Sequence, residues 1–311
     1  MSKPLSKILL IVAVLFGSAG VSYAADLQKG FAAAKRGDFK TALREFKSIA
    51  EQGDAAAQFY LGLMYYNGQG VPQDYKAAVK WYRLAVKQGF SPAQYHLGLM
   101  YASGLGAPQD YKTAVKWYRL AAEQGFAPAQ SSLGLTYAKG QGVPQDYKTA
   151  VKWYRLAAEQ GHPGAQFSLG LIYDQGKGVP QDYKAAVKWY RLAAEQGEAT
   201  AQYSLGVMYK DGLGVPQDHQ AAVKWFRLAS EQGLALAQAN LSAMYALGEG
   251  VPKDYIYAHM WANLGAVSGK KELMKLRDLI VEKMTSAQIA KAQRLASECV
   301  HKKYKGCETK Y

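Results

Sequence analysis

Apolar residues in the middle of the chain recur at helical spacing and stop at regular breaks. Ala129, Leu133 and Tyr137 lie four residues apart, which places them on one face of a helix. Gly140 follows as a helix C-cap, and the glycines and proline of residues 140–145 prevent the helix from continuing. The pattern therefore predicts a helix, called helix A, that ends in a short loop.

A second helix, called helix B, begins directly after that loop. Asp146 is a natural N-cap, residues 147–159 have helical spacing, and Gly161 ends the helix. The side chains predicted to be buried are those of Tyr147, Ala150, Val151, Trp153, Tyr154 and Ala157. Helices A and B are therefore expected to form a helical hairpin.

This hairpin is repeated with a period of 36 residues. The period is carried by all six tryptophans of the chain: Trp81, Trp117, Trp153, Trp189, Trp225 and Trp261. The same step is kept by Gly62, Gly98, Gly134, Gly170 and Gly206 and by Pro72, Pro108, Pro144, Pro180, Pro216 and Pro252. Because one hairpin cannot bury its apolar face alone, the repeats are expected to stack into a one-dimensional array.

The repeated pattern closely resembles the Sel-one-like repeat (SLR) family, a relative of the tetratricopeptide repeats. In one unit it consists of Ala93, Leu97, Gly98, Tyr101, Gly104, Gly106, Pro108, Asp110, Ala114, Trp117, Tyr118, Ala121, Ala122 and Gly125. It recurs as six repeats across residues 54–269, and the departures are Val86, Ala107, His219 and Ser242. The resemblance implies an all-α, right-handed superhelical solenoid of stacked helix-turn-helix repeats.

Both ends of the array are predicted to carry capping units. Residues 25–53 resemble a plain tetratricopeptide hairpin, which would form the N-terminal cap. Residues 270–311 contain two further helices and a basic tail, and Thr285 with Gln288 indicates a capping box at the start of the second helix. A solenoid requires such caps, because its terminal repeats would otherwise expose their apolar faces.

Residues 1–24 have the pattern of a secretory signal. Lys3 and Lys7 give a positive start, residues 8–16 are apolar, and small residues precede a cleavage point after Ala24. The apolar run is too short to span a bilayer, so the alternative is an ordinary buried helix. We expect an exported protein, periplasmic or secreted, without a membrane span.

Cys299 and Cys307 are expected to form a disulfide, because an even number of cysteines in an oxidising compartment favours pairing. Metal binding through this pair and His301 is the alternative, but a closed zinc site needs four ligands. The remaining histidines show no ligand spacing and are expected at the surface or in loops: His96, His162, His219 and His259. We therefore predict no metal and no cofactor.

Composition indicates a folded protein, and the net charge favours anionic partners without naming one. The chain of 311 residues is 49% hydrophobic and 20% charged, which is ordinary for a folded protein, and its net charge is +14. A basic balance favours anionic partners in general. Nucleic acid is not expected among them, because a secreted protein rarely meets it.

One possible catalytic motif occurs near the end of the repeats. Ser268 and Lys271 satisfy the Ser-x-x-Lys pattern of penicillin-recognising enzymes, and some cysteine-rich SLR proteins have been described as β-lactamases. The accompanying Ser-Asp-Asn and Lys-Thr-Gly motifs are absent, as are the paired cysteines of those family members. A chance match is therefore favoured, and the chain is not predicted to be an enzyme.

One face of helix B carries a recurring basic pair, which we call the basic ridge. It consists of Lys80/Arg83, Lys116/Arg119, Lys152/Arg155, Lys188/Arg191 and Lys224/Arg227. Glutamates four residues after an arginine are expected to neutralise part of this charge: Glu123, Glu159, Glu195 and Glu231. The ridge is either a solvated surface or a binding face for an acidic protein segment, a polysaccharide or a phospholipid surface.

Helix A, by contrast, varies between repeats. Its aromatic residues are Phe59, Tyr60, Tyr95, Phe167 and Tyr203. Because the A helices of such solenoids line the concave surface, these residues suggest a groove that binds a peptide. The predicted function is an adaptor or regulator of envelope signalling or assembly that binds partner proteins in this groove. The alternatives are an enzyme acting on cell-wall or β-lactam substrates and a binder of peptidoglycan or anionic polysaccharide.

Overall fold

The computed structural model describes residues 20–267, 269 and 271–308, with side chains from residue 27 onward. The chain forms two compact units that divide after Trp153. Within the described ranges it consists of sixteen α-helices without a β-strand, which confirms the all-α prediction. No helix in this part of the chain is long and apolar enough to cross a membrane.

The helices follow one another in hairpins. In the first unit they are α1 (Gly20–Lys35), α2 (Phe39–Glu51), α3 (Ala55–Asn67), α4 (Tyr75–Val86), α5 (Ser91–Ser103), α6 (Tyr111–Glu123), α7 (Ala127–Lys139) and the beginning of α8 (Tyr147–Glu159). In the second unit the rest of α8 is followed by α9 (Pro163–Gln175), α10 (Tyr183–Glu195), α11 (Ala199–Asp211), α12 (His219–Ser230), α13 (Ala235–Leu247), α14 (Tyr255–Ala266), α15 (Lys271–Val281) and α16 (Ser286–His301). The predicted export signal lies outside the described residues as far as residue 19, and α1 begins inside its remainder.

The ends of the repeat helices are fixed by the residues that the pattern indicated. Asp146 accepts a hydrogen bond of 3.1 Å from the backbone N–H of Thr149, which makes it the N-cap of α8. Gly140 ends α7 with a φ of 68°, in the left-handed region that a Cβ disfavours. The same left-handed glycine ends the other A helices: Gly68, Gly104, Gly176, Gly212 and Gly248.

Close approach of the two helices within a hairpin depends on a glycine that faces an aromatic ring. A Cβ added to Gly170 would lie 2.4 Å from Cδ1 of Tyr190, and one added to Gly206 would lie 2.7 Å from Cδ1 of Phe226. Gly62 faces Tyr82 and Gly98 faces Tyr118 in the same way. The rings of Tyr190 and Phe226 are completely buried. Any larger residue at the glycine position would therefore push apart a packed core.

The tryptophans are less buried than the sequence pattern suggests. In α8, Ala150, Val151, Tyr154 and Ala157 are buried as predicted, whereas Tyr147 and Trp153 are only half-buried. Also half-buried are Trp81, Trp117, Trp189 and Trp225. The reason is that the aromatic residue after each tryptophan occupies the space over the glycine. Each indole is left at the rim of a hydrophobic cluster rather than at its centre.

A buried glutamine of helix A bonds to the preceding hairpin and also within its own hairpin, a role that was not predicted for it. Gln166 donates to the carbonyl oxygen of Ala158 at 3.1 Å, and Gln196 donates to Oε1 of Gln166 at 2.7 Å. In the first unit, Gln124 donates to Oε1 of Gln94 at 2.8 Å. These bonds satisfy polar groups that would otherwise destabilise the interior. The sequence signal that could have revealed this role is a glutamine that recurs every 36 residues.

The last repeat departs from this pattern and is covered by the C-terminal helices. Ser242 occupies the glycine position and donates from Oγ to the carbonyl oxygen of Ala258 at 2.7 Å. Trp261 is completely buried, and α15 and α16 pack against α14. The predicted capping box at Thr285 is present at the start of α16. Cys299 and Cys307 lie at disulfide distance, in agreement with the predicted pairing.

Candidate binding surfaces of the repeats

Two of the aromatic residues predicted to line a groove lie in the core. Phe59 and Tyr60 are 1% and 5% exposed. The ring centroid of Phe59 is 5.8 Å from that of Tyr82 and 5.1 Å from that of His96. Tyr60 is stacked on Phe46 at 5.5 Å. The expectation that Phe59 and Tyr60 are open to a ligand is therefore corrected, because neighbouring aromatic rings cover both.

The other three aromatic residues of the A helices are half-buried. Tyr95 packs against Tyr118 with a centroid distance of 5.9 Å, and burial raises the pKa of the Tyr95 hydroxyl. Equivalent contacts join Phe167 to Tyr190 and Tyr203 to Phe226, both at 5.8 Å. These rings contribute to packing within the hairpins, and only part of each ring is open to a ligand.

The basic ridge lies on the surface. Its five lysines and its first four arginines are exposed, and Arg227 is half-buried. Three further exposed lysines extend it by one helical turn: Lys112, Lys148 and Lys184. An exposed leucine follows each of four ridge arginines: Leu120, Leu156, Leu192 and Leu228, at 44, 46, 38 and 36% exposure. The exposed face of the B helices therefore combines positive charge with apolar surface.

In the first unit this face contains an open depression of about 490 Å³. It lies between α6 and the loop that follows α7, and its lining consists of Lys112, Val115, Lys116, Arg119, Leu120, Gly142 and Val143. Gly142 has a φ of 76°, and a Cβ there would lie 2.4 Å from the carbonyl oxygen of Tyr111. Only glycine therefore allows the loop to close against α6 and complete the depression.

Each ridge arginine donates a hydrogen bond to the hydroxyl of a tyrosine in the next helix A. The pairs are Arg83–Tyr101 at 2.7 Å, Arg119–Tyr137 at 2.8 Å, Arg155–Tyr173 at 2.9 Å, Arg191–Tyr209 at 2.6 Å and Arg227–Tyr245 at 3.2 Å. The predicted Arg–Glu ion pairs are not among the ion pairs of the described residues. A packed tyrosine is already fixed in place, whereas an exposed Arg–Glu pair must order two long side chains for little gain.

At the last of these pairs the chain binds a carboxylate of its own. Glu308 forms an ion pair with Arg227, and Oε1 of Glu308 accepts a hydrogen bond of 3.0 Å from Nε1 of Trp261. The Tyr245 hydroxyl accepts a hydrogen bond of 3.2 Å from Arg227 and lies within electrostatic reach of the same carboxylate. Burial and the charge of Glu308 raise the pKa of the Tyr245 hydroxyl well above its usual range. Arg227 of α12 and Trp261 of α14 therefore hold one carboxylate, and Tyr245 of α13 holds the arginine.

The repeated hairpins match a known family. The model of the Sel1 repeat matches residues 55–90, 91–126, 127–162, 163–198, 199–234 and 235–266. These ranges make up more than half of the sequence. The chain belongs to the Sel1 repeat family. The resemblance recognised from the residues is thereby confirmed, and Sel1 repeats form a type of scaffold that typically mediates protein–protein interaction.

Two solved structures of Sel1 repeat proteins are similar to this chain. A protective antigen of uropathogenic Escherichia coli with an SLR fold is 39% identical over 82% of this chain, with a TM-score of 0.75. This chain spans only 57% of the length of that antigen. A Sel1 repeat protein from Oxalobacter formigenes is 36% identical, with a TM-score of 0.70, over 77% of this chain and 96% of that protein. No curated protein matches the sequence.

Within the described residues, these Sel1 repeats bring together no group of three or more side chains that could hold a metal ion. Two histidines differ from the expectation of surface positions. His96 lies among aromatic rings, where burial lowers its pKa to about 4, and His259 is buried. His162 caps α9 by accepting a hydrogen bond of 3.1 Å from the backbone N–H of Ala165. Ser268, of the Ser-x-x-Lys motif, lies outside the described residues.

Proposed function

We propose that this protein is an exported scaffold that binds partner proteins through the exposed face of its B helices. The observation that carries this proposal is the recurrence of the same exposed lysine, arginine and leucine on consecutive repeats. A partner that spans several repeats gains avidity from contacts that are individually weak. The groove on the A helices is the other candidate surface, with Tyr95, Phe167 and Tyr203 as its remaining aromatic residues.

An acidic polypeptide segment suits the B-helix face better than a purely ionic ligand does. The lysines and arginines favour carboxylates, and exposed leucines such as Leu120 and Leu156 offer contacts to apolar side chains. A polysaccharide supplies no aliphatic side chains for these leucines. The geometry therefore supports protein binding over the binding of anionic polysaccharide.

Export is supported by three observations. Residues 1–24 have the pattern of a secretory signal, and Cys299 and Cys307 form a disulfide pair, which persists in oxidising compartments. The third observation is the similarity to a protective antigen of uropathogenic Escherichia coli. The role proposed for the exported protein is that of an adaptor or regulator of envelope signalling or assembly.

Site-specific photo-crosslinking in intact cells tests this proposal. A photoreactive amino acid at Leu120 or Leu156 on the B helices is expected to capture the same discrete protein. Leu135 and Leu171 are matched controls on the A helices, because they are also exposed, at 42% and 37%. Capture at Leu135 and Leu171 alone would place binding on the A helices. Absence of any crosslinked protein from all four positions would contradict a protein-binding role.

Charge reversal at the ridge sharpens the same experiment. Lys116→Glu with Lys152→Glu should abolish the crosslink at Leu120 and slow association, because basic surfaces steer acidic partners. Tyr95→Ala with Tyr203→Ala should leave that crosslink intact if the partner binds the B helices. Protease treatment of intact and permeabilised cells checks export, since a protein beyond the inner membrane is digested once the outer barrier is opened.

A further inference from the structure

Glu308 binds where two consecutive repeats meet, and we call such a place a repeat junction. Its contacts show that a repeat junction can bind a carboxylate. Arg227 and Trp261 each contribute a donor to it, from one B helix and the next, and Tyr245 of the A helix between them accepts a hydrogen bond from Arg227. The side chain of Glu308 is only 15% exposed, so this carboxylate is largely removed from water. Charge-assisted bonds to arginine are strong under such conditions, and the indole donor fixes the orientation of the oxygens.

The same three residue types recur at four earlier junctions with the same spacing in sequence. The sets are Arg83/Tyr101/Trp117, Arg119/Tyr137/Trp153, Arg155/Tyr173/Trp189 and Arg191/Tyr209/Trp225. The Arg–Tyr hydrogen bond is present in each set. No acidic side chain of the described chain forms an ion pair with these four arginines. The four tryptophans likewise have no acceptor for the indole N–H among the described residues.

We propose that each of these four Arg–Tyr–Trp sets binds a side-chain carboxylate of a partner polypeptide, so that within either unit an acidic segment places one carboxylate at each repeat. The proposal rests on the function proposed above and specifies its ligand chemistry. Glu308 is a carboxylate of this chain that already occupies one such set, formed by Arg227, Tyr245 and Trp261. The other four sets carry the same donors without the C-terminal tail.

Neighbouring side chains strengthen the choice of an acidic polypeptide. Lys188 lies 5.8 Å from the ring centroid of Trp189, and Lys224 lies 5.6 Å from that of Trp225, which adds positive charge beside the indoles. Exposed Leu156 and Leu192 directly follow the arginines of two sets. A segment in which glutamate or aspartate alternates with apolar residues therefore satisfies both kinds of surface.

The first tryptophan provides an internal control. Trp81 occupies the same repeat position, but the residue at the arginine position of its junction is Lys47. Lys47 forms an ion pair with Glu51 at 3.9 Å, so a carboxylate of the same helix already partly neutralises its charge. A lysine also lacks the planar fork of five donors that arginine offers to a carboxylate. The proposal therefore assigns no carboxylate site to Trp81.

Binding of a defined peptide tests the proposal. The probe is a fluorescein-labelled peptide of glutamate with leucine at every fourth position, and its control has glutamine in place of glutamate. The test variant carries Arg83→Lys, Arg119→Lys, Arg155→Lys and Arg191→Lys, which keeps the net charge. We expect its Kd for the glutamate peptide to rise at least about tenfold, because hydrogen bonds between charged partners are lost. The control variant makes the same arginine-to-lysine change four times outside the ridge, at Arg36, Arg44, Arg277 and Arg294, and should bind as the wild type does.

Replacing the indole donors gives a second, independent variant. Trp117→Phe, Trp153→Phe, Trp189→Phe and Trp225→Phe remove the N–H and keep an aromatic ring, and Trp81→Phe is the matched control. Circular dichroism verifies that each variant is folded, and a variant that unfolds is replaced by single substitutions at Trp189 and Arg155. Weaker binding by the first group with unchanged binding by the control is the expected result.

Three outcomes would overturn the proposal. Equal binding of the glutamine peptide would show that carboxylates are not recognised. Unchanged binding by the arginine-to-lysine variant, with loss in Lys116→Glu/Lys152→Glu, would refute the carboxylate sets and leave the B-helix binding face intact. If polygalacturonate binds as tightly as the glutamate peptide and is lost in the same variants, the sites recognise a polysaccharide and the polypeptide assignment is wrong.

Discussion

The junctions around Trp225 and Trp261 lie one repeat apart in the second unit and use the same residue types, yet they differ in exposure. Trp225 is half-buried, whereas Trp261 is completely buried. The difference arises from the C-terminal segment, because α15, α16 and the disulfide-closed tail cover α14, and Glu308 binds the donors. The same position of the repeat is therefore half-buried in one hairpin and part of the core in the next.

The same two junctions differ in the packing within their hairpins. Gly206 faces the ring of Phe226, but the equivalent positions in the last repeat are Ser242 and Ala262. Because Ala262 is small, there is room for Ser242 on the facing helix. The Ser242 hydroxyl donates a hydrogen bond to the carbonyl oxygen of Ala258. The two departures from the repeat pattern are therefore complementary in size and in hydrogen bonding.

The largest difference between the junctions is expected from truncating their tryptophans. Trp261→Ala should lower the free energy of unfolding by about 3–5 kcal/mol, because it removes a fully buried ring. Trp225→Ala should cost roughly half as much or less, since its indole is already partly in contact with water. Urea denaturation followed by circular dichroism measures both. Equal losses would mean that the C-terminal helices do not convert this position into core.

Opening the disulfide tests how the tail is held over the last junction. Cys299→Ser with Cys307→Ser should destabilise the C-terminal cap by about 2.5 kcal/mol, the entropy cost of a short closed loop. Hydrogen exchange should rise across α16 and at Trp261 while α9 to α11 remain protected, because each repeat is stabilised mainly by its neighbours. A uniform rise across the second unit would contradict such local coupling.

The glycine–aromatic pairing makes a third contrast. Gly206→Ser should destabilise by about 1–3 kcal/mol, because the new side chain overlaps the ring of Phe226. Combining it with Phe226→Ala recreates the Ser–Ala pair of the last repeat, so the double variant should lose less than the sum of the two single losses. Thermal denaturation of all three variants gives this coupling. Strict additivity would show that the pair does not pack as described.

The smallest effect is expected from the carboxylate itself. Glu308→Gln should lower stability by about 1 kcal/mol, because Glu308 is largely buried but its partner Arg227 is 37% exposed and can be solvated when the pair is lost. Arg227→Lys should have a similar effect, and the double variant should lose little more than either single one. Denaturation at low and high salt checks this, because only the wild-type pair should weaken with salt.

Much of the fold was predictable because it is set by local rules. The period, the hairpins, the N-cap at Asp146 and the glycine C-cap at Gly140 all follow from residue types at fixed spacing. Periodicity does not reveal which of two adjacent aromatic residues faces the core, so Trp153 is predicted to be core and is only half-buried.

The candidate site was harder to predict because its parts are distant in sequence. The Arg–Tyr bonds join residues 18 apart, and Glu308 lies 47 residues after Trp261 in a tail without repeat pattern. The sequence indicated the arginines of the ridge but paired them with nearby glutamates. The burial of Phe59 and Tyr60 was missed for a related reason, since the rings that cover them come from other helices.

The indole N–H signals of the six tryptophans offer the most direct test of the central claim, that the interior junctions are open copies of the site that Glu308 fills. They are measured by ¹⁵N–¹H NMR while the glutamate peptide is titrated into the protein. The signals that should move progressively downfield are those of Trp117, Trp153, Trp189 and Trp225. The signal of Trp261 should stay in place because its N–H is already bonded to Glu308. The signal of Trp81 should also stay in place, because its junction has Lys47 in place of the arginine. Shifts of Trp81 equal to those of the other four, or no shifts at all, would contradict the claim.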